Sequence, residues 1–79
     1  MIQTHIYLTF DNIPYMMYYV ITRPNKGELI KMIDYTNFKI VLIQHTVNSD
    51  IVNVYVKPYK VIGLTDAQLQ KIGFKRQDI

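Results

Sequence analysis

Hydrophobic and polar residues alternate along the first ten positions of the chain. One set of alternate positions is apolar apart from a single threonine: Ile2, Thr4, Ile6, Leu8 and Phe10. A repeat of two residues is typical of a β-strand with one buried face, because successive side chains of a strand point to opposite sides. The pattern therefore predicts a half-buried strand over residues 2–10.

A second hydrophobic segment follows a turn signal formed by Asp11, Asn12 and Pro14. This segment, Tyr15–Thr22, is apolar or aromatic on both of its alternating faces. A strand of this kind needs cover on both sides, either from the rest of the chain or from a partner.

The segment from Glu28 to Tyr35 is compatible with two structures. As a helix it would begin with a capping-box-like pair, Asn25 and Glu28, and would gather its apolar residues on one side. As a strand it would begin after Gly27 and turn at residues 34–37 into the next strand. The periodicity slightly favours the helix and the short link favours the strand, so both interpretations stay open.

The central part of the chain predicts a long antiparallel hairpin. Two β-branched segments, residues 38–46 and 51–57, enclose a short polar loop at residues 47–50. Pro58 cannot donate a backbone hydrogen bond, so it indicates a strand end, an edge or a bulge. Residues 59–62 then predict a short further strand.

The clearest helix signal lies near the end of the sequence, over Asp66–Ile72. Thr65 and Gln68 form a capping box, in which each residue caps a backbone N–H group of the other. Gly73 is suited to the position just after the last turn. These signals agree and predict a helix of two turns.

A helix this short is not stable alone, so we expect it to pack on the sheet. Its apolar side chains would supply the contact: Leu69, Ile72 and Phe74. The tail at residues 75–79 is expected to fray.

Composition places the chain among small folded domains. The sequence has 79 residues, no cysteine and 49% hydrophobic residues, which predicts one domain over residues 1–79 without disulfides or thiolate metal sites. A chain of this length buries only about 60% of its unfolded surface, so self-association would add useful burial. Neither a membrane-spanning stretch nor a secretion signal is visible, and we expect a cytoplasmic protein without membrane contact.

The inventory of reactive residues argues against an enzyme. The two histidines, His5 and His45, lie on different predicted strands, and the one serine, Ser49, lies in the hairpin loop. The six carboxylates are scattered singly, and the three glycines form no phosphate-binding loop. We therefore expect no catalytic residues, no bound metal and no cofactor.

The basic residues are more informative, because the net charge is +3. Five of the nine basic residues lie between positions 57 and 76: Lys57, Lys60, Lys71, Lys75 and Arg76. Tyr55 and Tyr59 are interleaved with the first two, as on surfaces that stack bases beside phosphate-binding cations. The alternative is that Tyr55 packs in the sheet and the lysines keep an edge strand soluble.

The tyrosine-rich second segment suggests a different surface. Its candidate contact residues for a protein partner or a second copy are Tyr15, Met17, Tyr18 and Tyr19. Tyrosine and methionine are frequent at protein interfaces. The alternative is a core or a ladder of aromatic side chains across strands.

Two stretches carry a family resemblance, provided that residues 28–35 form a strand. The first runs from Gly27 through Asp34 to Asn37 and into an apolar strand; the second is Val56–Val61, with a basic residue after its first apolar position. Together they resemble the two motifs of the Sm-like family of small barrels. The resemblance covers about half of the chain.

The Sm-like resemblance implies a short, strongly bent antiparallel barrel that assembles into rings and binds RNA. It places Asp34, Asn37 and Lys57 near an RNA base pocket, and it makes Tyr35 a possible stacking residue.

We expect an α+β fold: a small twisted antiparallel sheet of four to six strands with a short C-terminal helix packed on it. The alternative is a small SH3-like or Sm-like β-barrel. The leading functional hypothesis is a non-enzymatic module that binds single-stranded RNA or DNA through the basic, tyrosine-bearing stretch, including Tyr59. The alternative is a protein-interaction subunit or inhibitor of phage or mobile-element type, acting through Tyr15–Thr22 and forming a homo-oligomer.

Overall fold

Six strands and one helix make up the described part of the structure. A computed structural model of the chain describes residues 3–20, 24–33, 36–60 and 63–77. In chain order the elements are β1 (Gln3–Phe10), β2 (Ile13–Val20), β3 (Leu29–Ile33), β4 (Thr36–His45), β5 (Ile51–Tyr59), α1 (Asp66–Ile72) and β6 (Lys75–Arg76). The expected class, a small sheet with a short helix, is confirmed.

All six strands belong to one sheet with the order β3-β4-β5-β1-β2-β6. Neighbouring strands are antiparallel except β1 and β5, which run parallel, with Ile6 beside Val54 and Tyr7 beside Tyr55. The sheet is therefore mixed: the antiparallel arrangement expected from the sequence holds for four of the five strand pairs, and the pair of β1 and β5 departs from it. The described strands also form an open sheet with β3 and β6 at its ends, not a closed barrel.

The ambiguous segment is a strand in the structure. β3 pairs antiparallel with β4, with Leu29 opposite Lys39 and Ile30 opposite Phe38. The ladder continues before β3, because the Gly27 N–H donates to the Ile40 carbonyl at 2.8 Å. Pairing with β4 satisfies these backbone groups and so outweighs the weak helical periodicity. The turn at residues 34–35 lies outside the described residues.

The central hairpin is confirmed as β4 and β5. Its register shifts between Ile40 and Leu42, which leaves Val41 as an extra residue in a β-bulge. Pro58 lies inside β5, opposite Phe38 and one residue from the strand end. Residues 59–62 do not form a separate strand as far as they are described, since Tyr59 ends β5 and residues 61–62 are outside the description.

The predicted helix α1 has the predicted ends. The Gln68 N–H donates to the Thr65 hydroxyl at 3.3 Å, and the Thr65 N–H donates to the Gln68 side-chain carbonyl at 3.1 Å. Gly73 has a φ of 127°, and its N–H and that of Phe74 donate to carbonyls of the last turn, at Gln70 and Leu69. This pair of bonds is the Schellman arrangement that glycine permits.

The tail forms a strand up to residue 76, so the expectation of a frayed tail is wrong. Lys75 and Arg76 form β6, which pairs with Met16 and Tyr15 of β2. The Gln77 N–H also donates to the Pro14 carbonyl at 2.8 Å. Backbone hydrogen bonds to the edge of β2 hold this segment in place, and residues 78–79 lie outside the description.

The core lies between α1 and one face of the sheet. Its buried side chains are Ile6, Leu8, Tyr15, Met17, Phe38, Ile40, Val52, Val54, Val56, Leu69 and Phe74. The rings of Phe38 and Phe74 lie 5.5 Å apart between centroids and link β4 to the segment after the helix. Because α1 packs on this face, the other face of the sheet has no described element over it.

Candidate nucleic-acid interface

The uncovered side of the sheet carries the alternate residues of each strand. In β1, for example, Thr4, Ile6 and Leu8 are buried, so His5 and Tyr7 point to the opposite side. The strand registers extend this side across the sheet, and we call it the open face. Its principal residues are His5, Tyr7, Tyr18, Asn37, Lys39, Leu42, Tyr55, Lys57 and Tyr59.

Aromatic rings form a row across three strands of the open face. Tyr7 and Tyr55 are opposite each other in the parallel pair, and their rings stack with centroids 5.2 Å apart and planes inclined by 22°. His5 meets Tyr18 edge to face at 4.7 Å and lies 6.4 Å from Tyr7. The Tyr55 hydroxyl donates to the Gln44 side-chain carbonyl at 3.3 Å. Ring contacts therefore hold the row together, and a hydrogen bond fixes Tyr55 to the neighbouring strand β4.

The aromatic row is accessible to a ligand. Tyr18 is 67% exposed, and Leu42, which lies opposite Tyr55, is 51% exposed. Tyr7 and Tyr55 are half-buried, since each ring covers one face of the other. Rings that project from a sheet in this way can stack on planar groups such as nucleic-acid bases.

Lysine side chains flank the row on the side of β3 and β4. Lys39 and Lys57 lie directly opposite each other on β4 and β5. Together with Lys26 from the β2–β3 connection they line a groove of about 450 Å³, which we call the lysine groove. The Tyr59 ring lies close by, with the Lys39 Nζ 5.9 Å and the Lys60 Nζ 5.3 Å from its centroid.

No described strand position on the open face carries an acidic side chain. The described carboxylates lie in loops, directly before β3, or on the helix: Asp11, Asp50, Glu28 and Asp66. Asp66 accepts hydrogen bonds from Tyr15 and Gln70, so it belongs to the helix side of the molecule. The described strand positions of the open face therefore carry only positive charge, which suits an anionic partner.

Part of the nucleic-acid surface predicted from sequence is brought together. Lys57 and Tyr59 lie on the open face of β5, and Asn37 lies opposite Tyr59 on β4. Lys60 follows at the bend after β5, with a φ of 52° and its ammonium group near the Tyr59 ring. Tyr35 lies outside the described residues.

The other predicted basic residues lie apart from Lys57 and Tyr59. Lys71 is exposed on α1, on the core side of the sheet. Arg76 lies opposite the buried Tyr15, also on the core side, whereas Lys75 lies opposite Met16 and so belongs to the open face at its far edge. The basic stretch from Tyr55 to Arg76 is therefore not one surface, because its second half is divided between the two sides of the sheet and lies away from β5.

Sequence reasoning missed the residues that complete the open face. The alternation along β1 implies that Tyr7 and His5 lie opposite its buried side, but their position beside β5 follows only from the parallel pairing. Lys26 and Lys39 were missed because they lie far from the C-terminal basic residues in sequence. The alternation in β1 and β4 was the signal that could have found His5, Tyr7 and Lys39.

The candidate protein-interaction residues fall into two groups. Tyr15 and Met17 are core residues, only 1% and 7% exposed, so they are not accessible to a protein partner in this fold. Tyr18 and Tyr19 are exposed, and with Gln3 and Thr4 they line a groove of about 350 Å³ at one end of the sheet. The two-sided apolar character of β2 thus reflects core residues on one side and the open face on the other.

Within the described residues, no group of three or more histidine or acidic side chains could hold a metal ion. No helix in the described part of the chain has the length and apolar content to cross a lipid bilayer.

The chain matches no model of a known protein family, no curated protein and no solved structure.

Proposed function

We propose that the protein is a non-enzymatic binding module that takes single-stranded RNA or DNA on the open face. The observation that carries this proposal is the aromatic row of His5, Tyr7, Tyr18 and Tyr55 next to the opposed pair Lys39 and Lys57. Base–aromatic stacking contributes about 1–3 kcal/mol per base, and lysines neutralise phosphates. The two kinds of contact lie on one face here.

A single strand suits this surface better than a duplex. The rings can stack only on bases that are free of their own neighbours, as they are in single-stranded segments. The aromatic row spans β2, β1 and β5, a width of about 10 Å at the usual spacing of strands. Such a width is sufficient for about two or three bases, the number stacked by other sheet surfaces that bind RNA.

The test is binding of a fluorescent mixed-sequence oligonucleotide, followed by anisotropy at salt concentrations from about 50 to about 200 mM. We expect affinity to fall steeply with salt. The double variant Tyr7→Leu with Tyr55→Leu should weaken binding about tenfold or more, because it removes the stacked pair. The matched control is Tyr19→Leu, an exposed tyrosine outside the row. Absence of binding by the wild type at low salt would contradict the proposal.

The exposed pair Tyr18 and Tyr19 supports a second candidate function, self-association into a homo-oligomer. Tyr18 is 67% exposed and Tyr19 is 48% exposed. The chain has only 79 residues, of which 49% are hydrophobic, so a contact between copies would bury apolar surface that one copy leaves exposed. A symmetric contact between two copies would bury the same tyrosines on both sides. This position leaves the lysine groove, where two copies would repel each other, outside the contact.

Sedimentation velocity over a range of concentrations tests the second function. Tyr18→Ser with Tyr19→Ser should lower the mass of the assembly, whereas Val47→Ser, which changes an exposed apolar residue in the hairpin loop, should not. A ring of five to seven copies would favour the Sm-like resemblance. A wild-type protein that stays monomeric throughout would exclude self-association.

A further inference from the structure

We infer that the lysine groove is the phosphate subsite of the bound strand, so that the strand runs from Lys26, Lys39 and Lys57 across β5 and β1 towards Tyr18. This inference rests on the proposed function and specifies where the phosphate backbone of the bound strand contacts the protein. It replaces the C-terminal basic residues as the phosphate-binding group.

The three lysines of the groove converge from separate parts of the chain. Lys39 and Lys57 are opposite each other on β4 and β5. The turn that carries Lys26 is fixed to β4 by two backbone hydrogen bonds, from the Gly27 N–H to the Ile40 carbonyl at 2.8 Å and from the Ile40 N–H to the Glu28 carbonyl at 2.9 Å. Gly27 takes a φ of 88° there, a conformation that glycine adopts without strain.

No described residue that lines the lysine groove carries a counter-charge. Its lining consists of Lys26, Gly27, Lys39, Ile40, Val41 and Lys57, with no carboxylate among them. Glu28, the next residue after Gly27, accepts a hydrogen bond from the Asn25 amide at 3.2 Å. Like charges placed opposite each other in a sheet are unfavourable. An anion in the groove would remove this repulsion.

The groove adjoins the stacked tyrosines. A second depression, of about 410 Å³, contains Tyr7 and Tyr55 in its wall and shares Val41 and Lys57 with the lysine groove. Val41 is the extra residue of the β4 bulge, so the bulge places it between the two depressions. Tyr55 lies two positions before Lys57 on the same face, about 6.6 Å along the strand. A phosphate bound by Lys57 therefore leaves the attached base beside Tyr55.

The first test compares two double variants of equal charge. Lys39→Gln with Lys57→Gln removes the opposed charges of the groove, and Lys71→Gln with Arg76→Gln removes two charges on the core side of the sheet. Each double variant takes the net charge from +3 to +1. With the same oligonucleotide, the groove double should weaken binding about tenfold or more and should reduce the slope of log affinity against log salt by about 1.4, at about 0.7 per phosphate contact. The core-side double should have a much smaller effect.

Equal loss of affinity in the two double variants would overturn the inference while leaving the proposed function intact. A wild type that binds no oligonucleotide would instead remove the proposed function itself. Circular dichroism melts establish whether each double variant is folded. If the groove double does not fold, the single variant Lys57→Gln against Lys71→Gln gives the same comparison.

The second test locates the contact on the ligand. A short oligonucleotide with one neutral methylphosphonate linkage, moved stepwise along the strand, should bind the wild type weakly at one position. The affinity of Lys57→Gln should be the same with and without the neutral linkage at that position, since the substitution and the neutral linkage remove the same ion pair. Effects that simply add at every position would overturn the inference.

Discussion

The buried Tyr15 hydroxyl donates a hydrogen bond to the Asp66 carboxylate, which joins β2 to the first turn of α1. Tyr15 is 1% exposed and Asp66 is half-buried. Asp66 also accepts from the Gln70 side-chain amide at 2.8 Å, one helical turn later. The carboxylate therefore both favours the helix N-terminus by its charge and fixes the helix on the sheet.

Removal of the hydroxyl in Tyr15→Phe should lower the free energy of unfolding by about 1.5–3 kcal/mol, because the bond has a charged acceptor. Urea denaturation followed by circular dichroism measures the change. Tyr19→Phe is the matched control, since this tyrosine is half exposed and is not in the core. Equal midpoints for the two variants would show that the Tyr15 bond contributes nothing to stability.

The contact between Phe38 and Phe74 is the second link between the sheet and the helix. Both side chains are fully buried, and their centroids are 5.5 Å apart. Phe74→Ala should lower the free energy of unfolding by about 3–5 kcal/mol, because it leaves a cavity under α1. Thermal and urea unfolding measure this loss, with Val47→Ala in the exposed loop as the control. A loss below about 1 kcal/mol would mean that the segment after α1 is not part of the core.

Hydrogen exchange distinguishes a strand from a frayed tail at the end of the described chain. The Gln77 amide donates to the Pro14 carbonyl at 2.8 Å, directly after β6. We expect this amide to exchange more slowly than that of Asp50, which lies in an exposed bend of the hairpin loop. Exchange of Gln77 at the rate of Asp50 would contradict the pairing of β6 with β2.

Local signals were sufficient for the elements that depend on neighbouring residues. The capping box of Thr65 and Gln68 determines where α1 begins, and Gly73 determines where it ends. The hairpin of β4 and β5 depends on a short loop, in which the Ser49 hydroxyl accepts from the Ile51 N–H at 3.1 Å. Each of these features involves residues a few positions apart, so the sequence pattern could predict them.

Long-range pairing was not predictable in the same way. The parallel contact of β1 with β5 joins strands more than 40 positions apart, with no turn to indicate it. The stack of Tyr7 on Tyr55 depends on that contact, and for this reason the aromatic row was missed. The short strand β6 was not predicted for a related reason. Lys75 and Arg76 are held by backbone hydrogen bonds to β2, and their own side-chain pattern does not indicate a strand.

Lys57→Glu should separate stability from binding. Lys57 lies opposite Lys39, and opposite charges across a sheet are favourable, so the variant should gain about 0.2–0.5 kcal/mol in free energy of unfolding at low salt. Oligonucleotide binding should be lost, because a carboxylate repels phosphate. Urea denaturation and anisotropy on one preparation measure both effects. Lys71→Glu, on the helix side of the molecule, makes the same change in net charge and should retain most of the binding. Retained binding in Lys57→Glu would show that the strand does not cross the lysine groove.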